Sequence, residues 1–412
     1  MSGSSPTPSP PGSPVRTVVP SHPFRSRLSV PALATGLLVA LVGYAGSVAV
    51  VVQGLSAVGA DTVQIASGLV AVGLSMGMSA IWLAWRQRRP ISIAWTTPGM
   101  ALLAATGPVA GGFPAVVGAF LTVAVLIMAA GMWSPLGRWI AAIPKPLANA
   151  MLAGLLLKLC LAPFLAIAQA PGLGLLVLAT WAVVGRAARL YAVPAAVAVA
   201  LAALALDPPP LGAFPSDPWP SLLPVMPVFT WEALVGLTLP LFVVTMASQN
   251  IPGLAVLATF GYTPRLPPVF LATGLASALG APFGGPTVNL AAITAAMCAG
   301  PDADPLPERR WQAAAAGGAG HILLTALAAI TAALVSRSPP ILIEAVAGLA
   351  LIGAFGGSLL AAVQVEEERL PALVTLLVTA SGLSLLGIGS AFWGLLFGGA
   401  MHLLHRRRPA GA

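Results

Sequence analysis

The chain has 412 residues, of which 58% are hydrophobic and only 7% are charged. A soluble protein of this length needs a charged surface, and 19 Lys and Arg with 11 Asp and Glu residues are too few to form one. A lipid bilayer removes that need, because side chains that face lipid are apolar. The composition therefore predicts an all-α polytopic membrane protein and excludes a disordered chain. The net charge of +8 does not indicate nucleic-acid binding, because the basic residues flank apolar runs, where they orient spans.

Residues 1–29 are basic, rich in Pro and Ser, and lack the layout of a signal peptide, so we predict a disordered cytoplasmic tail. A membrane helix needs about 20 apolar residues. Two segments, 91–107 and 284–299, are short and contain Pro, Gly and polar residues. Hydropathy alone therefore does not decide whether they cross the membrane. Twelve clearer apolar runs are 31–55, 61–85, 113–133, 146–168, 171–185, 190–206, 231–258, 267–281, 311–335, 341–363, 370–386 and 390–405.

Positive charges decide whether the first short segment crosses, because Lys and Arg collect in cytoplasmic loops. One basic cluster lies at 86–89, after the second run, and another lies at 138–145, after the run 113–133. If both clusters are cytoplasmic, the chain crosses the membrane twice between them. The run 113–133 is one crossing, and 91–107 is therefore the other.

The same reasoning applies to the second short segment. Arg265 and the pair Arg309–Arg310 are both expected in the cytoplasm, and only the run 267–281 and the segment 284–299 lie between them. Both short segments are therefore predicted to cross, which gives fourteen spans and places both termini in the cytoplasm. In this arrangement all basic residues except Lys158 and Arg337 lie on the cytoplasmic side.

Fourteen spans divide into two halves of seven, 30–206 and 231–405, joined by an extracytoplasmic loop at 207–230 and followed by a cytoplasmic tail at 406–412. Each short segment is the third span of its half. Because seven is odd, the halves have opposite orientations, and this arrangement predicts an inverted repeat.

The two short segments share a pattern of an irregular stretch followed by a helix. In the first, ISIAW alternates like a strand, and Thr96 or Thr97 is placed to cap a helix that has Pro98 at its first position. In the second, APFGGPTVNL precedes the helical AAITAAM. Irregular backbone at membrane depth must line a protein cavity, and two helix N-termini there would favour an anion. The alternative is that both segments are ordinary kinked helices.

Several stretches resemble the benzoate:proton symporter family, BenE. They are LAWRQRRPISIAWTTPGMALL, MLAG, TMASQNIPG, APFGGPTVNLAAITAAMCAG and LLVTASGLSLLGIGSAFW. The resemblance implies proton-coupled import of benzoate or a related aromatic carboxylate across the inner membrane, with no cofactor or metal. The family in turn resembles nucleobase and sulfate permeases, which implies a core domain of helices 1–4 and 8–11, a gate domain of helices 5–7 and 12–14, and a homodimer through the gate domain.

The resemblance also implies a substrate site between the third, eighth and tenth spans. Its candidate residues are Trp95, Thr96, Thr97, Ser248, Gln249, Asn250, Phe283, Gly284, Gly285, Thr287 and Asn289. Trp95 and Phe283 are candidates to sandwich an aromatic ring, and the helix N-termini to hold its carboxylate. The alternatives are an interfacial role for Trp95 and interhelical hydrogen bonding for the three polar residues of the eighth span.

The proton carrier is less clear, because Gln249 and Asn289 stand in the region where related nucleobase permeases carry carboxylates. His321, in the eleventh span, is one candidate, with packing as the alternative. Glu344 and Lys158 are two further candidates for proton coupling. Lys158 is predicted to be buried, where it pairs with Glu344, snorkels outward or takes part in substrate binding. A proton carried by the substrate itself needs no protein carboxylate.

Three other functions remain open at this point. One is transport of another small anion or a nucleobase on the same fold. A channel needs a continuous polar pore, which the few polar residues do not favour. An enzyme is not expected, because the sequence has no HExxH and no paired intramembrane carboxylates.

Overall fold

The computed structural model describes residues 28–133, 144–206, 221–337, 339–386 and 388–406. Several predicted regions therefore lie wholly or mostly outside the described residues. They are the tail at 1–29, Arg138, most of the loop at 207–230, and the tail at 406–412.

The described part of the chain is helical except for two short strands and the connecting loops. The first half contains α1 (Val30–Ala57), α2 (Thr62–Gln87), β1 (Ile93–Trp95), α3 (Thr97–Thr106), α4 (Gly112–Met132), α5 (Lys145–Gln169), α6 (Pro171–Ala187) and α7 (Ala192–Leu206). The second half contains α8 (Trp231–Thr259), α9 (Leu266–Gly280), β2 (Val288–Leu290), α10 (Ala292–Ala299), α12 (Pro340–Val363), α13 (Arg369–Ala380) and α14 (Ser390–Arg406). Between α10 and α12, α11 runs from Trp311–Leu324 through a 3₁₀ turn at Thr325–Leu327 into Ala328–Arg337.

The helices have the length and composition of membrane-spanning segments. Among the described residues, eight helices are long and apolar enough to cross a bilayer. This agrees with the prediction of an all-α, multi-pass membrane protein. The helices α3 and α10 are much shorter, because each follows a strand within its segment.

Local sequence chemistry fixes where the helices near the strands begin and end. Asp61 and Gln64 form a capping box at the start of α2, in which the Asp61 carboxylate accepts from the Gln64 N–H at 2.8 Å. The helix ends at Arg88, whose φ of 52° is left-handed. Thr96 caps α3, where its hydroxyl accepts from the Gly99 N–H at 3.2 Å. These ends leave only a short stretch for β1.

Helix α8 is not a regular α-helix. It contains two π-helical turns, at Leu234–Thr238 and at Met246–Asn250. A π-helical turn changes the direction of the side chains that follow it and is frequent at functional sites. The second turn includes the predicted site residues Ser248, Gln249 and Asn250.

The strands β1 and β2 pair antiparallel in the interior of the helix bundle. Ile93 lies opposite Leu290, Ala94 opposite Asn289, and Trp95 opposite Val288. The apolar side chains of this ladder are buried in the main hydrophobic core. The ladder therefore joins the two short segments, which lie almost two hundred residues apart in the chain.

Helix α11 packs against both α1 and α2. Its crossing with α2 depends on two glycines. A Cβ atom on Gly77 would lie 2.5 Å from the Gly318 carbonyl oxygen, and one on Gly318 would lie 2.7 Å from the Gly77 carbonyl oxygen. Only glycine allows this approach, which brings α11 and its His321 close to the strands.

We therefore expect Gly77→Ala to lower the thermal stability of the purified protein, because the new methyl group overlaps backbone that cannot move away; overpacking of this kind costs about 1–3 kcal/mol. The matched control is Gly356→Ala on α12, where a Cβ atom meets nothing within 4 Å. Thermal unfolding in detergent measures both. Equal melting temperatures for the two variants would contradict this account of the α2–α11 crossing.

Candidate functional site

The two-stranded ladder extends by one hydrogen bond at each end. The Thr96 N–H donates to the Thr287 carbonyl oxygen at 3.1 Å, and the Ala291 N–H donates to the Ser92 carbonyl oxygen at 3.1 Å. Because the strands are antiparallel, α3 leaves one end of the ladder and α10 leaves the other. Ser92 and Thr96 are four residues apart along the strand. At about 3.3 Å per residue, the two ends of the ladder are therefore about 13 Å apart.

The two helix starts differ in how their N–H groups are satisfied. At α3, the Thr96 hydroxyl accepts from the Gly99 N–H and also lies 3.1 Å from the Thr245 hydroxyl of α8. Thr97, the first residue of α3, is half-buried. At α10, the preceding residue is Ala291, whose methyl group cannot accept a hydrogen bond. The start of α10 is therefore the better place for an anion to take the role of a cap.

The second π-helical turn of α8 supports the ladder. Asn250 is fully buried, and its side-chain oxygen accepts from the Leu290 N–H of β2 at 3.0 Å. Ser248 donates to the Val244 carbonyl oxygen within its own helix at 2.5 Å. Gln249 is half-buried, and within the described part of the chain its side chain has no hydrogen-bond partner. Of these three predicted residues, Gln249 alone keeps its amide free for a ligand.

Asn289 lies on β2 and Thr287 lies just before it. Both residues are fully buried. The surroundings of the Asn289 amide assign its orientation: its nitrogen donates to the Leu290 carbonyl oxygen at 2.9 Å, and its oxygen accepts from the Thr96 N–H at 3.2 Å. The Thr287 hydroxyl has no hydrogen-bond partner among the described residues. A buried hydroxyl without a partner is costly, so Thr287 is a candidate to bind a ligand or water.

Trp95 stands at the end of β1 with only 3% of its surface exposed. Its indole N–H donates to the Ser47 hydroxyl of α1 at 2.9 Å. Its ring lies 5.7 Å from the Tyr44 ring and 6.4 Å from the His321 ring, measured between centroids. These contacts show that Trp95 is an interior residue, so the alternative of a membrane-interface role does not hold.

His321 connects this aromatic cluster to the start of α10. Its Nδ1 lies 2.8 Å from the Gly317 carbonyl oxygen, so Nδ1 carries a proton and donates it there. In the neutral ring Nε2 is then the free acceptor. A Cβ atom on Gly43 would lie 3.6 Å from this Nε2 and 3.9 Å from the Thr294 methyl group, so His321 and the first turn of α10 face the same point of α1.

Phe283, Gly284 and Gly285 lie elsewhere. The Phe283 carbonyl oxygen accepts from the Ser67 hydroxyl of α2 at 2.9 Å. Gly284 has a φ of 78°, and a Cβ atom there would lie 3.1 Å from the Phe113 ring. This turn packs tightly between α2 and α4, and among the described residues Phe283 is not a ring partner of Trp95. The structure does not bring these two aromatic rings into contact, and the two glycines serve close packing.

The prediction that Lys158 is buried is wrong. Helix α5 packs on α12 through the next residues, where the Leu159 carbonyl oxygen and Cys160 lie against Gly348. Lys158 projects from a different face of α5 and is exposed. Glu344 is half-buried on α12, and in the described ranges it forms no ion pair with Lys158. An apolar run shows that a residue lies within a span, but not which face of the helix carries it.

Sequence reasoning missed three residues of this site: Tyr44, Ser47 and Thr245. All three are polar side chains within apolar helices, which was the signal that could have identified them. Tyr44 and Ser47 are also three residues apart and therefore share one face of α1. Each contacts Trp95 or Thr96, as described above.

The chain matches the family model described as benzoate membrane transport protein, BenE, over residues 26–404. It is 38% identical over 376 residues to inner membrane protein YdcO of Escherichia coli, covering 91% of this chain and 95% of that protein. It is 32% identical over 374 residues to the benzoate membrane transport protein of Acinetobacter baylyi, covering 90% of this chain and 94% of that protein.

Solved structures of transporters share the fold. The transmembrane domain of a cyanobacterium bicarbonate transporter, BicA, matches with a TM-score of 0.61 at 13% identity, covering 90% of this chain and 97% of that one. Murine Slc26a9, an anion transporter in the inward-facing state, matches with a TM-score of 0.57 at 14% identity, covering 94% of this chain and 69% of that one.

The family match spans nearly the whole chain, and two relatives exceed 30% identity over nine-tenths of it. These findings confirm the resemblance seen in the sequence. The chain belongs to the benzoate membrane transport protein family, and is a multi-pass membrane transporter and not an enzyme.

Proposed function

We propose that this transporter imports benzoate or a related aromatic carboxylate together with a proton. The observation that carries the proposal is the placement of His321 between the Trp95 ring and the first turn of α10, so that an aromatic face and an uncapped helix N-terminus lie on either side of one titratable side chain. The substrate class comes from the Acinetobacter relative, which is a benzoate membrane transport protein.

The start of α10 suits the carboxylate. Free N–H groups of a first helical turn and the positive end of the helix dipole both favour an anion. Thr294 lies in this turn, and its hydroxyl is 2.8 Å from the Ser92 hydroxyl of the ladder. The ladder therefore holds the first turn rigidly, so that the amides are positioned before the substrate arrives.

Trp95 and Tyr44 suit the aromatic ring. Their rings are tilted by 55° and belong to different segments of the chain, β1 and α1. Aromatic pairs in this geometry attract a third ring by edge and face contacts. A proposed site with two aromatic walls favours a benzoate-like anion over a small inorganic one.

His321 is the proposed proton carrier. The sequence has no Asp or Glu between residues 62 and 206 or between 233 and 301, so neither short segment nor most of α8 supplies a carboxylate. The free Nε2 of His321 can accept a proton, and the protonated ring then gives the carboxylate a charged partner. The open alternative is that the substrate carries the proton itself as the undissociated acid.

The proposed mechanism is alternating access of a core domain, α1–α4 with α8–α11, against a gate domain, α5–α7 with α12–α14. We further propose fourteen spans in two inverted repeats of seven, both termini in the cytoplasm, and a homodimer through the gate domain. The antiparallel pairing of β1 with β2 supports the repeat, because equivalent segments of an inverted repeat run in opposite directions.

Another small anion is the second candidate substrate. Two structural neighbours are a bicarbonate transporter and an anion transporter, and the amide-rich start of α10 does not by itself select an aromatic anion. Uptake of labelled benzoate into proteoliposomes, with bicarbonate and uracil as competitors, separates the candidates. We expect saturable uptake that an inward proton gradient drives and a protonophore abolishes. Uptake that ignores the gradient would indicate a channel and overturn the proposal.

Replacing Trp95 with alanine should raise the KM for benzoate about tenfold or more, because it removes the aromatic wall of the site. Trp95→Phe keeps a ring and should recover most of the affinity. Trp85→Ala is the matched control, since Trp85 is 57% exposed on α2. Equal KM values for the Trp95 and Trp85 alanine variants would remove Trp95 from the site.

His321→Gln should uncouple uptake from the proton gradient, because glutamine keeps a hydrogen-bonding side chain but does not titrate. His402→Gln is the control, because His402 lies beside Glu368 on a different helix. Gradient-driven accumulation of benzoate measures both variants. Full accumulation by His321→Gln would assign the proton to another group, with the undissociated substrate as the first candidate.

A further inference from the structure

A cavity of about 440 Å³ lies between α1 and α11 on one side and α6, α7 and α12 on the other. Its volume is within the range of small-molecule sites, about 300–1,000 Å³. It is distinct from the start of α10, and its lining is almost entirely aliphatic. We propose that this cavity binds aromatic monocarboxylic acids in their undissociated form; the inference rests on the substrate class proposed above.

The polar groups of the cavity fit a neutral carboxyl group. Tyr44 and Thr331 both line it, and their hydroxyl oxygens lie 3.1 Å apart. Two hydroxyls supply one donor and several acceptors, which match the donor and acceptor of a protonated carboxyl group. Among the lining residues that the structure describes there is no Lys, Arg or His, so none of them offers a carboxylate a counter-charge. The cavity therefore selects the uncharged acid.

The rim of the cavity faces the surrounding lipid. Leu41, Leu327 and Ile330 line it and are 57%, 45% and 39% exposed, on helices that cross the membrane region. An undissociated aromatic acid dissolves in hydrocarbon far better than its anion does. The exposed rim is thus a lateral entrance from the bilayer for this form of the acid.

Tyr44 joins the cavity to the transport site. Its ring forms part of the cavity lining and also lies 5.7 Å from Trp95, which in turn contacts His321. Only the Trp95 ring would separate an acid held by the Tyr44 hydroxyl from His321, the proposed proton acceptor. We therefore assign Tyr44 as the residue by which the cavity selects the undissociated acid. A lipid acyl chain could also occupy the cavity, but it has no polar group that can hydrogen-bond to the two hydroxyls.

Photolabelling with 4-azidobenzoate tests the proposal on the full-length protein in lipid nanodiscs. We expect labelled peptides from α7 and α12, with labelling that benzoic acid displaces and that rises as the pH is lowered toward the pKa of the acid. Ala200→Phe fills the cavity and should reduce this labelling about tenfold. Ala198→Phe, on the exposed face of the same helix, is the matched control and should leave labelling unchanged.

Tyr44→Phe keeps the ring and removes the hydroxyl, so it should reduce labelling several-fold without loss of folding. Labelling confined to α3, α8 or α10 would overturn the proposal, and so would labelling that palmitate displaces and benzoic acid does not, which would indicate a lipid site. The readout does not depend on transport. Absent benzoate uptake with intact cavity labelling would therefore count against the proposed function and not against this site.

Discussion

The pairing of β1 with β2 is the constraint on which the rest of this structure depends. Strands at membrane depth leave backbone groups that lipid cannot satisfy, so they persist only when each pairs with another buried segment. Here the partners are the two interrupted segments, and the ladder fixes where α3 and α10 begin. The result is a two-stranded sheet inside the helix bundle, with one helix beginning at each end of it.

Buried polar side chains complete this arrangement. Asn250 and Asn289 bond the backbone of β2 and of Thr96, so neither is free in the way that Gln249 and Thr287 are. A substitution of either asparagine should therefore affect folding and transport together.

Local patterns predicted much of the site. The alternation in ISIAW, the cap at Thr96 and Pro98 indicated a strand followed by a short helix, and the structure has both. The register between the strands could not be predicted, because it joins segments far apart in the chain. The π-helical turns of α8 have no known sequence signature, and the exposed face of Lys158 is set by how α5 packs on α12. The family resemblance places Phe283 in one site with Trp95, yet the turn after α9 packs Phe283 against α2.

The most direct test of the central claim is an experimental structure of the protein with 4-bromobenzoate bound, because the bromine atom marks the orientation of the ring. We expect the carboxylate within about 3 Å of backbone N–H groups in the first turn of α10. The ring should lie against Trp95. A carboxylate bound away from both ends of the β1–β2 ladder would contradict the account.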